Sequence, residues 1–402
     1  MNEFVKFGDC VDLVRENINP KEIPNVPYIG LEHIEENTLH LNGFGFSSDI
    51  DSTKLRFKKG DILFGKLRPY FRKVIIAPFD GICSTDIWVI RAKEGFDQQY
   101  IFYWMAGEDF VKFSMAGSEG TKMPRAKWEH VVEFERPYFD LSHQQRIGEI
   151  LSTFDDKIEL NRQMNQTLES MARAIFKSWF VDFDPVYAKM EGRDYPLPPE
   201  IMYLFPDELE ESELGLIPKG WKVGNLEQLV GQRSERINAS KETEFLPYVP
   251  IDLIKTKSLF LEESKSGLEA KSSLIKFYQG DLLFGAMRPY FHKVCIAPFN
   301  GITRTTAFVL YPKESIDFSY ITLLIHHPST IKYSTAHSTG STIPYVKWKN
   351  SLGKMRIIIP PNIIRKEFNE TVKPILDNIP NKYFFNSNLR EIRDHLLPRL
   401  LA

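Results

Sequence analysis

Strand-like and helix-like spacings of hydrophobic residues alternate along this chain. Residues 1–140 alternate β-branched or aromatic residues with turn residues, as in the run FGDILFGKLRPYFRKVIIAP. This pattern predicts short strands with small helices between them. Residues 216–360 repeat the pattern. The spacing therefore predicts two separate β-rich domains.

A long helical pattern follows each β-rich stretch. In residues 141–182, apolar side chains lie three and four positions apart, the spacing of a heptad seam. The seam residues are Ile147, Leu151, Phe154, Ile158, Leu168, Ala172, Ile175 and Trp179. Asn161 and Asn165 interrupt the seam, and Pro374 and Pro380 are expected to kink or interrupt the second helix. Because a lone helix cannot bury such a seam, the two helices are predicted to pair.

The two β-rich stretches are copies of one sequence. The block GDILFGKLRPYFRKVIIAPFDG at Gly60–Gly81 returns as GDLLFGAMRPYFHKVCIAPFNG at Gly280–Gly301, with 16 of 22 positions identical and each pair 220 residues apart. The same offset pairs Gly120 with Gly340. This period is far longer than the roughly 20–50 residues of a solenoid repeat, so each copy is a domain. Two similar domains indicate a target of two parts.

The predicted fold class is α+β. Two duplicated β-rich domains with small helices are separated by two long antiparallel helices that form a coiled-coil-like spacer, with pseudo-twofold symmetry. The predicted boundaries are residues 1–140 for the first domain, 141–182 for the first helix, 183–215 for a proline- and acid-rich linker, 216–360 for the second domain and 361–402 for the second helix.

Composition excludes several classes of protein. The hydrophobic content of 43% and charged content of 26% are ordinary for a globular protein. No apolar run approaches the roughly 18 residues of a membrane span, and the N-terminus lacks the layout of a signal peptide. Cys10, Cys83 and Cys295 show no CxxC spacing, so we expect buried thiols in a reducing cytoplasm.

A net charge of −2 conceals a local concentration of basic residues. Between Lys54 and Lys73 there are eight basic residues and one acid. Because the attraction of phosphates is screened beyond about 8–10 Å, a basic surface on a neutral protein can still bind nucleic acid. The tetrapeptide RPYF, at Arg68–Phe71 and again at Arg288–Phe291, lies in this basic and aromatic context.

Two interpretations of the RPYF turns are open. In one, the arginine and the following lysine bind phosphates, while the tyrosine contributes a hydroxyl group or stacks against a sugar. In the other, proline and the aromatic residues build a strand corner that the arginine covers. Positions identical in both copies cannot distinguish two half-sites, so they should serve the fold or contact the nucleic-acid backbone.

Positions that differ between the copies are candidates for reading bases. Lys66 is paired with Ala286, and the polar loop SEGTKMPRAKW at Ser118–Trp128 is paired with STGSTIPYVKW at Ser338–Trp348. Lys, Arg, Ser and Thr side chains read base edges, although such loops can also be ordinary solvated turns. The candidate DNA contacts are Lys66, Arg68, Tyr70, Arg72, Lys73, Thr121, Lys122, Arg125, Lys127, Arg288, Tyr290, His292, Lys293, Arg304, Ser341, Thr342 and Lys347.

No motif for catalysis is recognised. The sequence contains no GxxxxGK[ST] phosphate loop, no HExxH, no Cys/His spacing typical of zinc and no [DN]PP[YF] tetrapeptide of the kind that positions an amine for methyl transfer. The chain is therefore predicted to be non-catalytic and to hold no metal or cofactor of its own.

Four further stretches carry a resemblance to a known family. They are LSHQQRIGEIL at Leu141–Leu151, AIFKSWFVDFDPV at Ala174–Val186, IPKGW at Ile217–Trp221 and LREIRDHLLPRLL at Leu389–Leu401. Together with the duplicated domains, they make nearly the whole chain resemble the specificity (S) subunit of type I restriction–modification systems.

The resemblance implies two target-recognition domains, each of which reads one half of a bipartite DNA sequence. It implies that the helices form a fixed-length spacer and dock two methyltransferase subunits, which carry S-adenosylmethionine and methylate adenine. Motor-nuclease subunits would join for cleavage. The candidate partner contacts are Phe154, Ile158, Ile175, Phe176, Trp179, Phe180, Leu389 and Leu396. A four-residue insertion near Asn165 is expected to change the spacer and to leave both half-sites unaltered.

An alternative from another class is a non-enzymatic two-fold scaffold whose basic β-domains bind protein or RNA. Binding to random duplex DNA would not separate the two functions, since any basic patch binds phosphate in a salt-dependent way. Selective protection of a two-part DNA site would separate them.

Overall fold

The computed structural model describes residues 4–120, 122–240, 243–271 and 273–402. The chain divides into two compact units. Unit 1 comprises Met1–Lys157 and Leu389–Ala402, and unit 2 comprises Ile158–Asn388. Each unit therefore contains one sheet-rich domain together with parts of both long helices.

The first domain contains eleven strands and four short helices among its described residues. The strands are β1 (Phe4–Lys6), β2 (Val11–Val14), β3 (Asn17–Ile18), β4 (Pro27–Ile29), β5 (Gly45–Phe46), β6 (Lys54–Phe57), β7 (Ile62–Gly65), β8 (Val74–Ile76), β9 (Gly81–Cys83), β10 (Ile87–Ala92) and β11 (Glu135–Pro137). The helices are α1 (Phe7–Cys10), α2 (Gln98–Ala106), α3 (Glu108–Ala116) and α4 (Trp128–Val131). One sheet has the strand order β2-β10-β7-β8, a second has β3-β6-β9-β4-β5, and β1 pairs with β11.

Strand β7 shows why this sequence forms two layers. Side chains alternate between the faces of a strand. Ile62 and Phe64 accordingly pack into a core with helix α2, while Leu63 packs into a separate core on the other face. Because both faces are buried, the strand is the continuous apolar run Ile62–Phe64 followed by Gly65.

The long helices are α5 (Leu141–Phe180) and α10 (Asn362–Leu400). Within unit 2 they run antiparallel, since Asn161 hydrogen-bonds Asn386 while Phe176, further along α5, contacts Phe368, earlier in α10. The predicted interruption at the two prolines does not occur, because α10 is a single helix of 39 residues. Its side chains around the prolines are buried in the core of unit 2, and this packing offsets the hydrogen bonds that proline removes.

The second domain and the segment before it lie in unit 2. The helices are α6 (Asp184–Glu191), α7 (Pro199–Met202), α8 (Phe318–His326) and α9 (Pro328–Ala336). The strands are β12 (Leu209–Ser212), β13 (Gly215–Pro218), β14 (Lys222–Asn225), β15 (Val230–Gln232), β16 (Arg236–Ile237), β17 (Pro247–Tyr248), β18 (Lys265–Ser266), β19 (Leu274–Phe277), β20 (Leu282–Gly285), β21 (Val294–Ile296), β22 (Gly301–Arg304), β23 (Ala307–Pro312) and β24 (Arg356–Ile359).

The second domain repeats the strand order of the first. Its sheets have the orders β15-β23-β20-β21 and β16-β19-β22-β17-β18, and β14 pairs with β24. Strands β7 and β20 begin 220 residues apart, at Ile62 and Leu282, as the sequence repeat requires. The sequence duplication is therefore also a duplication of sheet topology.

The segment 183–215, predicted as a linker, is folded. It forms helices α6 and α7 and the β12–β13 hairpin. Val186 and Phe205 are buried in the core of unit 2. Prolines and acidic residues that suggested a linker lie within these elements, such as Pro185 in α6 and Glu210 in β12. No helix among the described residues is both long enough and apolar enough to cross a membrane.

Candidate nucleic-acid interface

Each domain contains one tight basic turn after its central strand. We call residues 66–72 and 286–292 the arginine turns. A short 3-10 helix, Pro69–Phe71, is flanked by Arg68 at φ 53° and Arg72 at φ 48°, both in the left-handed region. The second copy has the same geometry, with φ of 49° and 52° at the paired positions. Non-glycine residues adopt this region at a cost of about 1–3 kcal/mol, so such turns mark positions that the surrounding structure imposes.

Each arginine turn is hydrogen-bonded to a polar loop. We call residues 118–127 and 338–347 the glycine loops. In the first copy, the Arg68 N–H donates to the Pro124 carbonyl at 2.7 Å, and the Ala126 N–H donates to the Lys66 carbonyl at 2.9 Å. The Arg288 N–H donates to Pro344 at the same 2.7 Å. The backbone therefore joins the turn and the loop into one surface in each domain.

Arg68 and Arg288 carry donors that the described residues leave unsatisfied. The Nε of each arginine is buried and has no hydrogen-bond partner within the described ranges. The Arg68 guanidinium lies 6.0 Å from the centre of the Phe71 ring, and Arg288 Nη2 is 3.5 Å from the Thr342 carbonyl. Each arginine is half-buried and its backbone is bonded to an exposed loop, and a guanidinium at such a site is suited to bind an anionic oxygen.

Most of the other predicted contacts on these surfaces are exposed. The exposed candidates are Tyr70, Lys122, Arg125 and Lys127 in the first domain and Tyr290, Arg304, Ser341, Thr342 and Lys347 in the second. Arg125 donates to both carboxylate oxygens of Asp86, at 3.0 and 3.3 Å, and Lys127 pairs with Glu119. Thr121 lies outside the described residues.

Lys73 and Lys293, predicted to bind phosphates, instead brace the fold. Lys73 Nζ donates to the Leu31 carbonyl at 2.8 Å, and Lys293 Nζ donates to the Ile251 carbonyl at 2.8 Å. Burial lowers the pKa of Lys293. Identical lysines hold equivalent backbone carbonyls in both copies, which explains why the position is the same in both.

Arg72 and His292, predicted as DNA contacts, are occupied elsewhere. Arg72 Nη2 is 3.1 Å from Asp394 Oδ1, on the last turns of α10. His292 is 7% exposed, and its Nε2–H donates to the His326 carbonyl at 2.8 Å. This corrects the prediction that these two side chains, which differ between the copies, contact DNA. Arg72 therefore contacts a long helix, whereas His292 contacts helix α8 of its own domain.

Lys66 is a position at which the surfaces of the two domains differ. It lines a surface cavity of about 270 Å³ together with Arg15, Asn17, Thr85 and Trp88. Its counterpart Ala286 is fully buried. Arg15 and Asn17 were not among the predicted contacts because they lie outside the clearly repeated blocks. The polar run Arg15-Glu16-Asn17 directly after strand β2 is the signal that would have found them.

Half of the eight predicted partner contacts are buried. Phe176, Trp179 and Phe180 are 3%, 2% and 5% exposed and pack around Phe368 in unit 2. This corrects their assignment to a docking surface, because the folded segment 183–205 and the second domain cover them. Ile158 is also buried, whereas Phe154, Ile175, Leu389 and Leu396 are half-buried.

A different face of α5 is apolar and exposed. Leu160, Met164 and Met171 are 47%, 40% and 49% exposed, and their spacing of four and seven residues places them on one side of the helix. Met171 also lines a groove of about 520 Å³ with Gln163, Gln166, Thr167, Ser170 and Ala174. We call Leu160, Met164 and Met171 the α5 stripe. Sequence reasoning missed it because these residues lie outside the heptad seam.

Metal-ligand clusters are not found in the part of the chain that the structure describes. No group of three or more His, Cys, Asp or Glu residues there could hold a metal ion. The cysteines are free and buried. Burial raises the pKa of the Cys10 thiol to about 12, so it is protonated near neutral pH.

Comparison with known proteins gives consistent results. The family model for the type I restriction modification DNA specificity domain matches residues 2–170. The chain is 29% identical over 404 residues to the type I restriction enzyme MjaIX specificity subunit of Methanocaldococcus jannaschii, covering 96% of this chain and 85% of that protein. It is 26% identical over 455 residues to the HindI specificity subunit of Haemophilus influenzae, covering 98% and 97%.

A solved structure supports the fold. The S subunit of a type I restriction–modification system from M. genitalium aligns over 100% of this chain and 96% of its own, with 14% identity and a TM-score of 0.57. At this level of identity the likeness concerns architecture alone. Two sheet-rich domains and long helices are thus a known arrangement.

Proposed function

We propose that the chain is a specificity subunit of a type I restriction–modification system that binds DNA sequence-specifically, with each domain reading one half of a bipartite target. One observation carries this proposal. The same turn-and-loop surface is built twice by matching backbone hydrogen bonds, and it presents different exposed side chains in the two domains. A duplicated scaffold with divergent surface residues is what two unlike half-sites require.

The two kinds of position divide the work of recognition. Arg68 and Arg288, which are half-buried on turns bonded to the exposed loops, bind backbone phosphates and fix the register of each domain. The glycine loops and Lys66 read base edges, since Lys, Ser and Thr are donors or acceptors that match the major groove. Each mismatched base pair then costs about 1–3 kcal/mol.

The chain itself acts as a non-catalytic, cytoplasmic recognition subunit. Two methyltransferase subunits that carry S-adenosylmethionine perform adenine methylation, and motor-nuclease subunits add cleavage. The helices α5 and α10 form the spacer that sets the gap between half-sites. The α5 stripe, rather than the buried aromatic residues, is the surface on which a methyltransferase helix docks, because its apolar side chains are exposed.

Methylome sequencing of cells that produce this chain together with its methyltransferase subunit tests the proposal. We expect methylated adenines in one motif with two defined halves and a gap of fixed length. A matched variant carries residues 118–127 in place of residues 338–347, and it should alter one half of the motif only. A gapless motif, or sequence-independent binding with no methylated motif, would favour the scaffold function instead.

A further inference from the structure

The seam between α5 and α10 contains buried amides in an otherwise apolar contact. Within unit 2, Ala172 and Phe176 of α5 and Leu376 and Ile379 of α10 belong to one hydrophobic core. Asn161 is 2% exposed and Asn386 is fully buried. Asn161 Nδ2 donates to Asn386 Oδ1 at 2.7 Å. Two asparagines from facing helices therefore bond to each other inside the seam.

A second asparagine reinforces the arrangement. Asn165, one turn further along α5 and 1% exposed, donates from Nδ2 to the Ile379 carbonyl at 3.3 Å. The amides are not fully satisfied by the described residues, because Asn386 Nδ2 and Asn165 Oδ1 have no hydrogen-bond partner there. A partly satisfied polar layer costs stability compared with an apolar one, so its presence needs another reason.

The reason is that a buried polar layer fixes the register of the two helices. A slip that moved Asn386 towards Ile158 would place its amide against an aliphatic side chain and leave both asparagines without their bond. A slip in the other direction would bring Asn386 to Asn165 but leave Asn161 unpaired. Apolar seams tolerate such shifts, whereas one buried asparagine pair is known to select a single register between helices.

The phase of α5 is fixed on a neighbouring side as well. Arg162, next to Asn161, forms a buried ion pair with Glu262 of the second domain, and Lys255 Nζ lies 2.6 Å from the same carboxylate. This network holds the rotation of α5 against the domain. Arg365 of α10 forms a buried ion pair with Asp317 of the same domain, and the asparagine layer bonds α10 directly to α5.

We propose that the Asn161–Asn386 pair, assisted by Asn165, is the register lock that makes this chain accept a single gap length between its two half-sites. The inference rests on the proposed function, because a gap exists only if the target is bipartite. It assigns the precision of the gap to three amides, whereas helix length determines only its approximate value.

The test uses the complete methyltransferase complex and a DNA library in which the two half-sites flank gaps of every length. The variant Asn161→Leu/Asn386→Leu replaces both amides with apolar groups, so no amide of the pair is left unpaired and the chain should remain folded. We expect it to methylate neighbouring gaps with discrimination reduced roughly tenfold, which corresponds to about 1.4 kcal/mol. Asn378→Leu is the matched control, since Asn378 is exposed and bonds only within its own helix.

A cross-linking variant keeps the proposal testable if the double leucine chain fails to fold. In Asn161→Cys/Asn386→Cys, the reduced protein should accept neighbouring gaps, and a short bifunctional thiol reagent should restore the single gap. Unchanged gap selectivity in the folded leucine variant, or identical selectivity before and after cross-linking, overturns the lock alone. A wild-type complex that shows no bipartite target overturns both the lock and the proposed function.

Discussion

Arg68 and Lys73 are each identical to their counterparts in the second domain, yet the structure gives them different environments. The Arg68 Nε has no partner among the described residues, whereas Lys73 Nζ bonds the Leu31 carbonyl. The repeat could predict that both positions matter to both copies. It could not predict that the lysine bonds a backbone carbonyl of its own domain, because that contact depends on the left-handed turn between the two residues.

Replacing the turn arginine should weaken DNA binding without changing its sequence preference. We expect Arg68→Ala to lower affinity for specific and random duplexes by a similar factor and to reduce the slope of log Kd against log salt by about one. Titration of both duplexes at several salt concentrations measures this. An altered base preference in the first half-site, with an unchanged salt slope, would contradict phosphate binding by Arg68.

The lysine that follows should behave in the opposite way. Lys73→Met removes the donor that holds the Leu31 carbonyl, and an unpaired buried group costs about 1–3 kcal/mol. Thermal unfolding should therefore begin at a lower temperature, while the salt slope of DNA binding stays at the wild-type value. The same pair of measurements on Lys293→Met gives an internal replicate. If both variants instead show a reduced salt slope of DNA binding, these lysines bind phosphates, as the sequence predicted.

Two buried histidines predict the pH dependence of unit 2. Burial lowers the pKa of His326 to about 3 and also lowers that of His292. In the unfolded chain both titrate near the ordinary value of about 6.5, so between these values the unfolded state binds more protons. The contribution of these histidines to the free energy of unfolding is fully present above the unfolded-state pKa of about 6.5. It decreases as the pH falls below that value, by at most about 1.4 kcal/mol per pH unit for each histidine.

The corresponding measurement is chemical unfolding between pH 7 and pH 4. His326→Gln cannot gain this proton, so its loss of stability over that range should be smaller than that of the wild type. The comparison cancels the contribution of carboxylates, which titrate in both proteins. Equal losses in the two proteins would mean that His326 does not titrate differently on unfolding.

At the scale of elements, spacing predicted the helices better than individual residues did. The pattern of three- and four-residue steps predicted a helix over residues 141–182, and α5 is observed at Leu141–Phe180. The prolines of α10 misled the prediction because proline removes one hydrogen bond locally, whereas Leu376 and Ile379 between them are fully buried. Tertiary packing of this kind is not visible in the spacing of one helix.

The two apolar faces of α5 should respond differently to substitution. Met164→Lys/Met171→Lys alters only the exposed α5 stripe, so we expect lost binding of the methyltransferase subunit with an unchanged unfolding temperature. Trp179→Ala instead opens a cavity in the core of unit 2 and should cost about 3–5 kcal/mol of stability. Asn378→Lys, on the exposed side of α10, controls for added charge. Intact complex formation by the double lysine variant would exclude the stripe as the docking surface.

At the scale of the whole molecule, the duplicated domains differ in how they are joined to their helices. In unit 1, Arg72 pairs with Asp394, and Tyr103 donates to Asp155, which also binds Arg393. In unit 2, the residue in place of Arg72 is His292, and the nearby Arg173 helps to lower its pKa. The repeat is therefore close in the sheets and divergent at the helices.

Each domain is built as a unit that could be exchanged. Strand β1 pairs with β11, and β14 pairs with β24, so the first and last strands of each domain are hydrogen-bonded neighbours. Because adjacent termini allow a domain to be exchanged without stretching the chain, residues 4–137 could replace residues 222–359. The contact between domain and helix is the obstacle to this exchange. The incoming Arg72 would take the place of His292 near Arg173, and the two positive charges would repel each other.

A chain with two first domains should therefore depend on residue 173. We expect the transplant with Arg173 retained to unfold at a lower temperature than the same transplant carrying Arg173→Asp, which offers Arg72 a carboxylate as Asp394 does in unit 1. The folded transplant should methylate a motif made of two first half-sites and keep the wild-type gap, because α5, α10 and their asparagine layer are retained although Glu262, the partner of Arg162, is lost. Calorimetry and methylome sequencing measure the two outcomes independently. A transplant that is stable with Arg173 would show that the contact between domain and helix tolerates like charges. Retention of the original second half-site would show that the domains do not read the DNA separately.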